Sequence, residues 1–309
     1  MSKTPKVSII IPTKNEAKNI GFCLDSIFSI DYSAAAYEVL VVDNGSADQT
    51  TLIAAEKGAQ VYSLPHVNIS TLRNFGTRQA KGDIFAFLDA DCTVDKDWLV
   101  NAEKYFEAKN IVCFGSTPRI PDKPTWVQAA WFHVRQKKKG CTEVAWLESM
   151  NMFIRRDIYE SVGGFNETLV TCEDVDLSYR LSARGRIISD QEIRAIHHGE
   201  AKDIAEFFRK ERWRGKSNYL GLQQHGLRLD EIPSLLLPPY YLFMSSLIVV
   251  WILFGHWNHA AVVFFLLQVP ILAIALLKIQ RHSAYIYFFQ LYFLYNIYYL
   301  ARGLALFKR

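Results

Sequence analysis

Short apolar runs alternate with stretches of helical periodicity along the first part of the chain, and this alternation restricts the folds that it can adopt. Runs at residues 7–11, 38–42, 60–64 and 84–88 are typical of buried strands, and the segments between them repeat apolar side chains at helical spacing. Strands that alternate with helices predict an α/β fold with a mostly parallel, doubly wound sheet and helices on both faces. In such sheets, ligands bind at the carboxyl ends of the strands.

Polar clusters follow three of these runs, at the point where each predicted strand ends. They are Thr13-Lys14-Asn15-Glu16, Asp43-Asn44-Gly45-Ser46 and Asp89-Ala90-Asp91. Carboxylates are costly to bury unless they are paired or bind a cation, so the two acids of the third cluster suggest a divalent metal site. An acidic turn after a strand is the simpler interpretation, and the pair alone does not decide between the two.

The sequence lacks several common binding motifs. No G-x-G-x-x-G follows a strand and no G-x-x-x-x-G-K-[ST] occurs, which argues against a dinucleotide site and against a P-loop. The five cysteines include no C-x-x-C pair, so neither a zinc knuckle nor a disulfide framework is predicted. Reduced thiols favour a cytosolic location for the domain that carries them.

Charge divides the chain into two unequal parts. Residues 232–309 contain five basic residues and no Asp or Glu, whereas residues 1–231 contain 30 basic and 31 acidic residues. The basic excess therefore belongs to the apolar C-terminal part, which argues for membrane lipids as a partner rather than nucleic acid. We expect a cytosolic α/β domain at residues 1–231 and a membrane domain at residues 232–309.

Three apolar stretches fill the predicted membrane domain, at about residues 235–254, 260–277 and 285–301. The first two are long enough to span a bilayer and are separated by five residues, so they predict a transmembrane hairpin. Lys278 and Arg281 follow the hairpin and mark a cytoplasmic loop. The third stretch, rich in Tyr and Phe, either spans the bilayer or lies in its interface. Residues 202–216 predict a basic amphipathic helix that lies on the membrane surface or packs against the α/β domain.

A second acidic group, Glu173, Asp174 and Asp176, opens a predicted helix. Acids in a first helical turn interact favourably with the helix dipole, so each of the three is explained as a capping residue. A general base has the same requirements, namely a carboxylate on a rigid element within reach of a hydroxyl. The sequence leaves both interpretations open.

Seven segments form an ordered set between residue 7 and about residue 215. They are Ile11-Pro12-Thr13-Lys14-Asn15-Glu16, Val42-Asp43-Asn44-Gly45-Ser46-Ala47-Asp48-Gln49-Thr50, Arg73-Asn74-x-Gly76, Ala80-Lys81-Gly82, Asp89-Ala90-Asp91, Gly163-Gly164-Phe165-x-Glu167 and Glu173-Asp174-x-Asp176-Leu177. In this order and spacing, they resemble the motifs of family-2 inverting glycosyltransferases, which have the Rossmann-like GT-A fold. No single segment is decisive, whereas the ordered set is specific.

The resemblance implies a role for each matching position. Residues implied to bind the nucleotide are Pro12, Thr13, Asn15, Glu16, Asp43, Arg73 and Asp89, with Asp43 on the base and Arg73 beside the phosphates. Residues implied to hold Mg²⁺ or Mn²⁺ on the diphosphate are Asp89, Asp91 and, as a further ligand, His197. Two alternatives stay open: His197 as a core or surface histidine, and Asp89 on the ribose instead of the metal.

Asp174 would be the catalytic base by the same resemblance, with Glu173, Arg212 and Trp213 near the acceptor or the phosphates. Arg212 and Trp213 belong to a segment similar to the Q-x-x-R-W motif of processive members. Arg209 replaces the Gln of that motif, which argues against processivity.

These inferences predict a multi-pass protein of the inner or cytoplasmic membrane whose catalytic domain faces the cytosol. It would transfer one sugar from a nucleotide-sugar, expected to be a UDP-sugar, to a hydroxyl of a lipid-linked (polyprenyl) acceptor in polysaccharide or glycoconjugate biosynthesis. The first alternative is a polyprenyl-phosphate sugar synthase, in which a phosphate oxygen attacks and a strong base is less needed. A sugar nucleotidyltransferase and a non-catalytic membrane scaffold are the remaining alternatives.

Overall fold

The apolar runs of the sequence form a central sheet in the computed structural model, which describes residues 6–135, 140–217, 232–282 and 285–307. The strands, in chain order, are β1 Val7–Thr13, β2 Tyr37–Asp43, β3 Gln60–Ser63, β4 Ile84–Leu88, β5 Cys92–Val94, β6 Ile111–Gly115, β7 Cys141–Glu143, β8 Asn151–Arg155, β9 Arg186–Asp190 and β10 Ala195–His197. Eight of them are ordered β3-β2-β1-β4-β8-β6-β9-β7, while β5 and β10 pair antiparallel as a second, small sheet.

The helices, in chain order, are α1 Ile20–Phe28, α2 Thr50–Glu56, α3 Ile69–Gln79, α4 Trp98–Glu103, α5 Trp126–Arg135, α6 Arg156–Ser161, α7 Glu173–Ser182, α8 Ile204–Arg214, α9 Ile232–Leu253, α10 Trp257–His282 and α11 Phe288–Leu304. Contacts along the described chain divide it into two compact units. Unit 1 comprises residues 1–121 and 137–199, and unit 2 comprises residues 122–136 and 200–309. The predicted domain boundary at residue 231 lies outside the described residues and stays a prediction.

The sheet of unit 1 is mostly parallel in its first half. Strands β3, β2, β1 and β4 run parallel, β8 is antiparallel to both of its neighbours, and β6 and β9 are parallel again. Successive β1 residues enter opposite cores: Ile9 and Ile11 join one apolar cluster and Ile10 joins the other. Since each face of a strand takes alternate side chains, helices cover the sheet on both faces, as predicted.

Two of the predicted helices begin later than the sequence indicated. The sequence predicts the first from about residue 15 and the second from about residue 46, whereas α1 begins at Ile20 and α2 at Thr50. The polar side chains in these loops bind backbone N–H groups of neighbouring turns, which competes with helix formation. The two loops at the ends of β1 and β2 are therefore longer than predicted, and they carry the polar clusters.

Unit 2 contains two helices that are long and apolar enough to cross a membrane, at residues 232–253 and 257–280. They correspond to the two predicted spans of the hairpin. The third apolar stretch forms α11, a helix of 17 residues. A separate apolar cluster holds unit 2 together, and in it the ring of Trp131 from α5 contacts Phe207 of α8 and Tyr295 of α11.

Candidate active site

The loops after β1 and β2 are joined by a network of short polar contacts. Asp43 is buried at the end of β2 and accepts hydrogen bonds from the backbone N–H and the hydroxyl of Ser46. That hydroxyl oxygen also accepts the backbone N–H of Asn15, at 2.8 Å, while the Asn15 side chain accepts the N–H of Ala47, at 2.8 Å. Asn15 adopts a φ of 56°, a conformation that Asn tolerates better than most residues. Predicted nucleotide residues from two strand ends thus meet in one rigid loop pair.

Three further predicted nucleotide residues lie at the same edge. Pro12 and Thr13 end β1, where Thr13 is in register with Asp43 of the parallel neighbour β2. The hydroxyl of Thr13 is buried and has no hydrogen-bond partner among the described residues. The backbone N–H of Glu16 donates to Thr50, and its carboxylate accepts the amide of Asn19, at 2.7 Å. A buried hydroxyl without a partner is costly, which suits a position that contacts a ligand.

Arg73 links Asp89, just after β4, to Glu173, at the start of α7. Its side chain projects from α3, is almost fully buried, and donates to Asp89 at 2.9 Å and to Glu173 at 2.8 Å. The guanidinium also packs over the ring of Phe165, 5.2 Å from the ring centre. Burial opposes the charge, but Asp89 and Glu173 outweigh it and raise the pKa of Arg73 above its ordinary value. Two acids about eighty residues apart in the sequence are therefore held by one permanently charged group.

The residue after Arg73 organises the second half of the site. The amide of Asn74 donates to the backbone carbonyl of Phe165, at 2.9 Å, and to Glu167, at 2.8 Å. Its carbonyl oxygen accepts the N–H of Phe165 and the hydroxyl of Tyr159. The R-N pair and the G-G-F-x-E segment, which are distant in sequence, therefore form a single buried structure that fixes the chain before α7.

Asp89 and Asp91 do not continue β4, which ends at Leu88, but lie in the turn between β4 and β5. Asp89 points to Arg73, whereas Asp91 lies 3.2 Å from Nε2 of His197. His197 comes from β10, which pairs with β5 and so returns the chain to this turn. The two acids of the D-x-D motif thus have different partners.

The Asp91–His197 pair has the composition and spacing of a metal half-site. Two ligands at about 2.1 Å from an octahedral ion lie about 3 Å apart, close to the observed separation of this pair. Gly199 leaves this space open, because a Cβ there would lie 1.8 Å from Asp91 Oδ2 and 2.9 Å from His197 Nε2. Among the described residues, no group of three or more His, Cys, Asp and Glu side chains is arranged to hold a metal. Two protein ligands suit an ion that is completed by water and substrate phosphates.

The three acids of α7 have three different environments. Glu173 is buried on Arg73, and Asp176 binds Arg180, which in turn donates to the carbonyl groups of Val162 and Gly164. Asp174, at the start of the helix and partly exposed, accepts the adjacent N–H of Val175 at 2.8 Å. These partners distinguish the acids, which the sequence could not do.

The pKa of the Asp174 carboxyl group is raised above its ordinary value. Desolvation and the nearby charges of Glu173 and Glu148 raise it to about 7, and Arg73 only partly opposes them. A carboxylate with a pKa near the working pH suits a general base.

Glu148 is the site residue that sequence reasoning missed. It is buried just before β8 and accepts a hydrogen bond from the hydroxyl of Thr117, at 3.0 Å. The only signal in the sequence was one acid, Glu148, shortly before the apolar run Met152-Phe153-Ile154, and that pattern is equally typical of an exposed strand end.

Arg212 and Trp213, which were predicted near the acceptor or the phosphates, lie in the last turn of α8 in unit 2. Arg212 is half-buried and Trp213 is 48% exposed. Their functional roles stay predictions.

The chain is similar to several known proteins. A family model described as "Glycosyl transferase family 2" matches residues 8–163, about half of the 309 residues. Glycosyltransferase AglE of Haloferax volcanii is 33% identical over 198 residues, which cover 60% of this chain and 64% of that protein. A beta-monoglucosyldiacylglycerol synthase of Trichormus variabilis is 27% identical over 57% of this chain and 41% of that protein. The chain thus matches less than two thirds of the length of either relative.

Solved structures share the fold at low sequence identity. Mannosyltransferase PcManGT from Pyrobaculum calidifontis, solved with GDP-Man and Mn²⁺, has a TM-score of 0.64 and 18% identity over 98% of this chain and 86% of its own. S. aureus TarS 1–349, solved with UDP-GlcNAc, has a TM-score of 0.53 and 18% identity over 84% of this chain and 90% of its own. Together with the mostly parallel sheet, these likenesses confirm the predicted GT-A fold.

Proposed function

Since this chain belongs to glycosyl transferase family 2, we propose that it is a membrane-anchored, inverting glycosyltransferase that moves one sugar from a nucleotide-sugar to a hydroxyl of a lipid-linked acceptor. The observation that carries the proposal is the double ion pair of Arg73, which ties Asp89 at the strand ends to Glu173 beside Asp174. This contact brings the donor half and the acceptor half of the site together.

Asp174 acts as the general base in this proposal. Its carboxylate takes the proton of the acceptor hydroxyl while the hydroxyl oxygen bonds to the anomeric carbon from the face opposite the diphosphate. The bond between the anomeric carbon and the diphosphate oxygen breaks, its electron pair leaves with the nucleoside diphosphate, and the configuration inverts. The raised pKa of Asp174 supports this role, because a stronger base accepts the proton more readily.

Asp91 and His197 are the residues that would hold Mn²⁺ or Mg²⁺ in this proposal. A bound divalent ion supplies positive charge to the leaving diphosphate as a Lewis acid. An imidazole nitrogen among the ligands favours Mn²⁺, since Mg²⁺ in proteins is bound almost entirely by oxygen. Asp89 would act through Arg73, whose permanent charge it orients beside the phosphates.

A UDP-sugar is the proposed donor, bound by the loops after β1 and β2. Asp43 would bind the base, while Pro12, Thr13, Asn15 and Glu16 would line the pocket. The rigidity of these loops supports the assignment, as does the unpartnered hydroxyl of Thr13. TarS is solved with UDP-GlcNAc and PcManGT with GDP-Man, so the choice between a UDP-sugar and a GDP-sugar as donor requires a donor screen.

Membrane anchoring supports a lipid-linked, polyprenyl acceptor. Helices α9 and α10 are long and apolar enough to span a bilayer, and one relative is named for a glycosyldiacylglycerol product. We place the protein in the inner or cytoplasmic membrane with its catalytic domain facing the cytosol, where nucleotide-sugars are available. The product would be an intermediate of polysaccharide or glycoconjugate biosynthesis.

Asp174→Asn in membrane preparations tests the proposal. UDP release and label transfer to lipid are measured with a panel of UDP- and GDP-sugars, with Mn²⁺ or with EDTA. The substitution should lower transfer at least a hundredfold, the lower range for loss of a general base, while donor affinity by calorimetry stays within about threefold. Asp176→Asn is the matched control on the same helix, and turnover of its folded fraction should change little.

Near wild-type transfer by the Asp174→Asn enzyme to its own acceptor would overturn the base assignment and favour a polyprenyl-phosphate sugar synthase. A phosphate oxygen is already ionised and does not require a base. Release of GDP rather than UDP would change the donor assignment alone.

A further inference from the structure

The position of α11 follows from the order of the chain and one buried ion-pair cluster. Helix α8 precedes the hairpin formed by α9 and α10, so two crossings return the chain to the side of the membrane on which α8 lies. The C-terminal turn of α11 then contacts α8: Arg302 donates to Glu211 through Nε at 3.0 Å and through a terminal nitrogen at 2.9 Å. Both ends of α11 therefore lie on the same side of the membrane as α8.

The contact between Arg302 and Glu211 is buried and specific. Glu211 is 1% exposed and also accepts a hydrogen bond from Arg214, at 2.7 Å. The two arginines outweigh the cost of burial and hold the pKa of Glu211 below its ordinary value. Gly215 lets the helices approach, because a Cβ there would lie 2.8 Å from the Cβ of Ala305. A cluster of this kind fixes the end of α11 to α8.

The contacts of α11 with the hairpin show that it crosses α9 at a steep angle. Asn296 bonds to Tyr241 of α9 at 3.2 Å, and Gly303 lies against Pro238 and Leu242 of the same helix. From residue 296 to residue 303, α11 advances about 10 Å along its own axis, whereas its contacts on α9 stay within about one turn of that helix. A helix that ran alongside α9 through the bilayer would have moved about two turns along it.

The hairpin contacts also give the depth of α11. Tyr292 bonds to Gln268 of α10 at 2.6 Å, close to Leu266, which accepts the hydroxyl of Tyr240. Residues 292–303 therefore share one level of the hairpin. On α9 that level is three to seven residues, about 5–10 Å, beyond the start of the first apolar run at residue 235. On α10, Gln268 is nine residues, about 14 Å, before the end of the second run at residue 277. These contacts keep α11 in the half of the bilayer nearer to α8.

A continuous apolar stripe follows the outer side of α11 and the short turns at its ends. Its members recur every three or four residues: Ile286, Phe289, Phe293, Ile297, Leu300, Leu304 and Phe307. The first three and the last are exposed, whereas the opposite side of α11 packs into the core of unit 2. Helices α9 and α10 of the same unit also expose many large apolar side chains and are the two candidate membrane spans, which favours lipid as the partner of the stripe.

We infer that α11 does not span the membrane but lies flat in the bilayer interface, with this stripe against the lipid acyl chains. The inference rests on the proposed membrane anchoring by α9 and α10. Together, α8 and α11 form a platform at the membrane surface on the side that carries α8. The described residues thus contain two transmembrane helices, and residues 305–307 after α11 stay on the side of α8.

Spin-label depth measurements test this arrangement. Single cysteines replace four members of the stripe, Phe289, Phe293, Leu300 and Phe307, in a background with Cys141→Ser and Cys172→Ser. The protein is reconstituted in vesicles of phosphatidylethanolamine and phosphatidylglycerol, and nitroxide accessibility to oxygen and to a water-soluble nickel complex gives each depth. Leu236→Cys, Phe243→Cys and Val250→Cys on α9 are the matched controls.

The expected result is one shallow depth for all four α11 positions, within about 5 Å, and a steep profile through the bilayer centre for the α9 positions. A spanning α11 would instead change depth by about 27 Å between residues 289 and 307, and this outcome overturns the inference. Low accessibility of the α11 labels to both reagents also overturns it, because another protein surface then covers the stripe. A flat, water-exposed profile for α9 would contradict membrane anchoring itself, independently of α11.

Discussion

Arg73 holds several distant segments of the site in place. It contacts acids from two distant segments and an aromatic ring, and Asn74 beside it holds the G-G-F segment. A Lys at this position would present one compact charge instead of a planar fork with five donors, so it could not hold both carboxylates in the same way. Because Arg73 and Asn74 are adjacent on α3, one helix holds both the two acids and the G-G-F segment in place.

The pH dependence of transfer follows from the raised pKa of Asp174. Its base form is the ionised carboxylate, which is present above the pKa, so transfer should increase as pH rises through about 7. Glu148→Gln removes a negative charge that disfavours ionisation of Asp174, and the acidic limb of the kcat/KM profile should move to lower pH. The measurement is the pH profile of UDP release by both enzymes.

Glu143→Gln is the control for this shift. Glu143 lies on β7, is exposed, and pairs with Arg186, away from the causes of the Asp174 pKa shift. Its profile should coincide with that of the wild type. An unchanged profile for Glu148→Gln would show that Glu148 does not set the pKa of Asp174.

Gly199 should control metal affinity through the space that it leaves. In Gly199→Ala, the new Cβ would overlap Asp91 Oδ2 and approach His197 Nε2, so the two ligands must separate. We expect Mn²⁺ affinity in the presence of UDP to fall at least about tenfold, as when a metal ligand is misplaced. Isothermal calorimetry measures it.

Gly21→Ala is the matched control, because its Cβ would meet only Ile53, at an ordinary 3.5 Å. Its affinity for Mn²⁺ should equal that of the wild type. Equal affinities for the two variants would contradict the assignment of Asp91 and His197 as the metal pair.

At the scale of elements, α7 shows how one helical turn separates three chemically similar acids. Glu173 and Asp176 are held by arginines from α3 and from the same helix, whereas Asp174, which lies between them, accepts the backbone N–H of Val175. Cys172, just before the helix, adopts a φ of 65°, which turns the chain sharply into α7. In the first turn of α7, Glu173 and Asp176 thus form structural ion pairs, and Asp174 is the acid proposed as the base.

The ion-pair cluster between α8 and α11 should contribute strongly to the stability of unit 2. Arg302→Met leaves the buried carboxylate of Glu211 with Arg214 as its remaining cation, and we expect a loss of about 3 kcal/mol. The double variant Glu211→Leu, Arg302→Met should lose less than Arg302→Met alone, since no buried charge is left unpaired. Thermal unfolding in detergent measures both.

Arg186→Met provides the comparison for an exposed pair. Both partners of the Arg186–Glu143 pair are about half exposed, so the unfolding midpoint should stay close to that of the wild type. If Arg302→Met unfolds at the wild-type temperature, the cluster does not hold α11 to α8 in solution.

At the scale of the whole molecule, the two units are built from different principles. Unit 1 buries its apolar residues on both faces of a sheet and presents polar loops at the strand ends. Unit 2 leaves many large apolar side chains of α9 and α10 exposed, as expected for helices whose solvent is lipid. Its core recruits α5, a helix from the middle of the sequence, through Trp131.

The sequence by itself determined the α/β class, the alternation of strands and helices, the polar strand ends and the apolar hairpin. These features are local: period, charge and turn residues are readable without knowing which segments meet. The sequence also predicted the D-x-D and E-D acids as site residues, without assigning their partners.

Only the tertiary structure decided how these acids differ. Asp89 and Asp91 are one residue apart, yet one faces Arg73 of α3 and the other faces His197 of β10, because the pairing of β5 with β10 returns a distant segment to the turn. The buried Glu148 and the inferred course of α11 likewise depend on contacts between residues far apart in the chain. Such contacts are set by packing, and no local pattern of side chains records them.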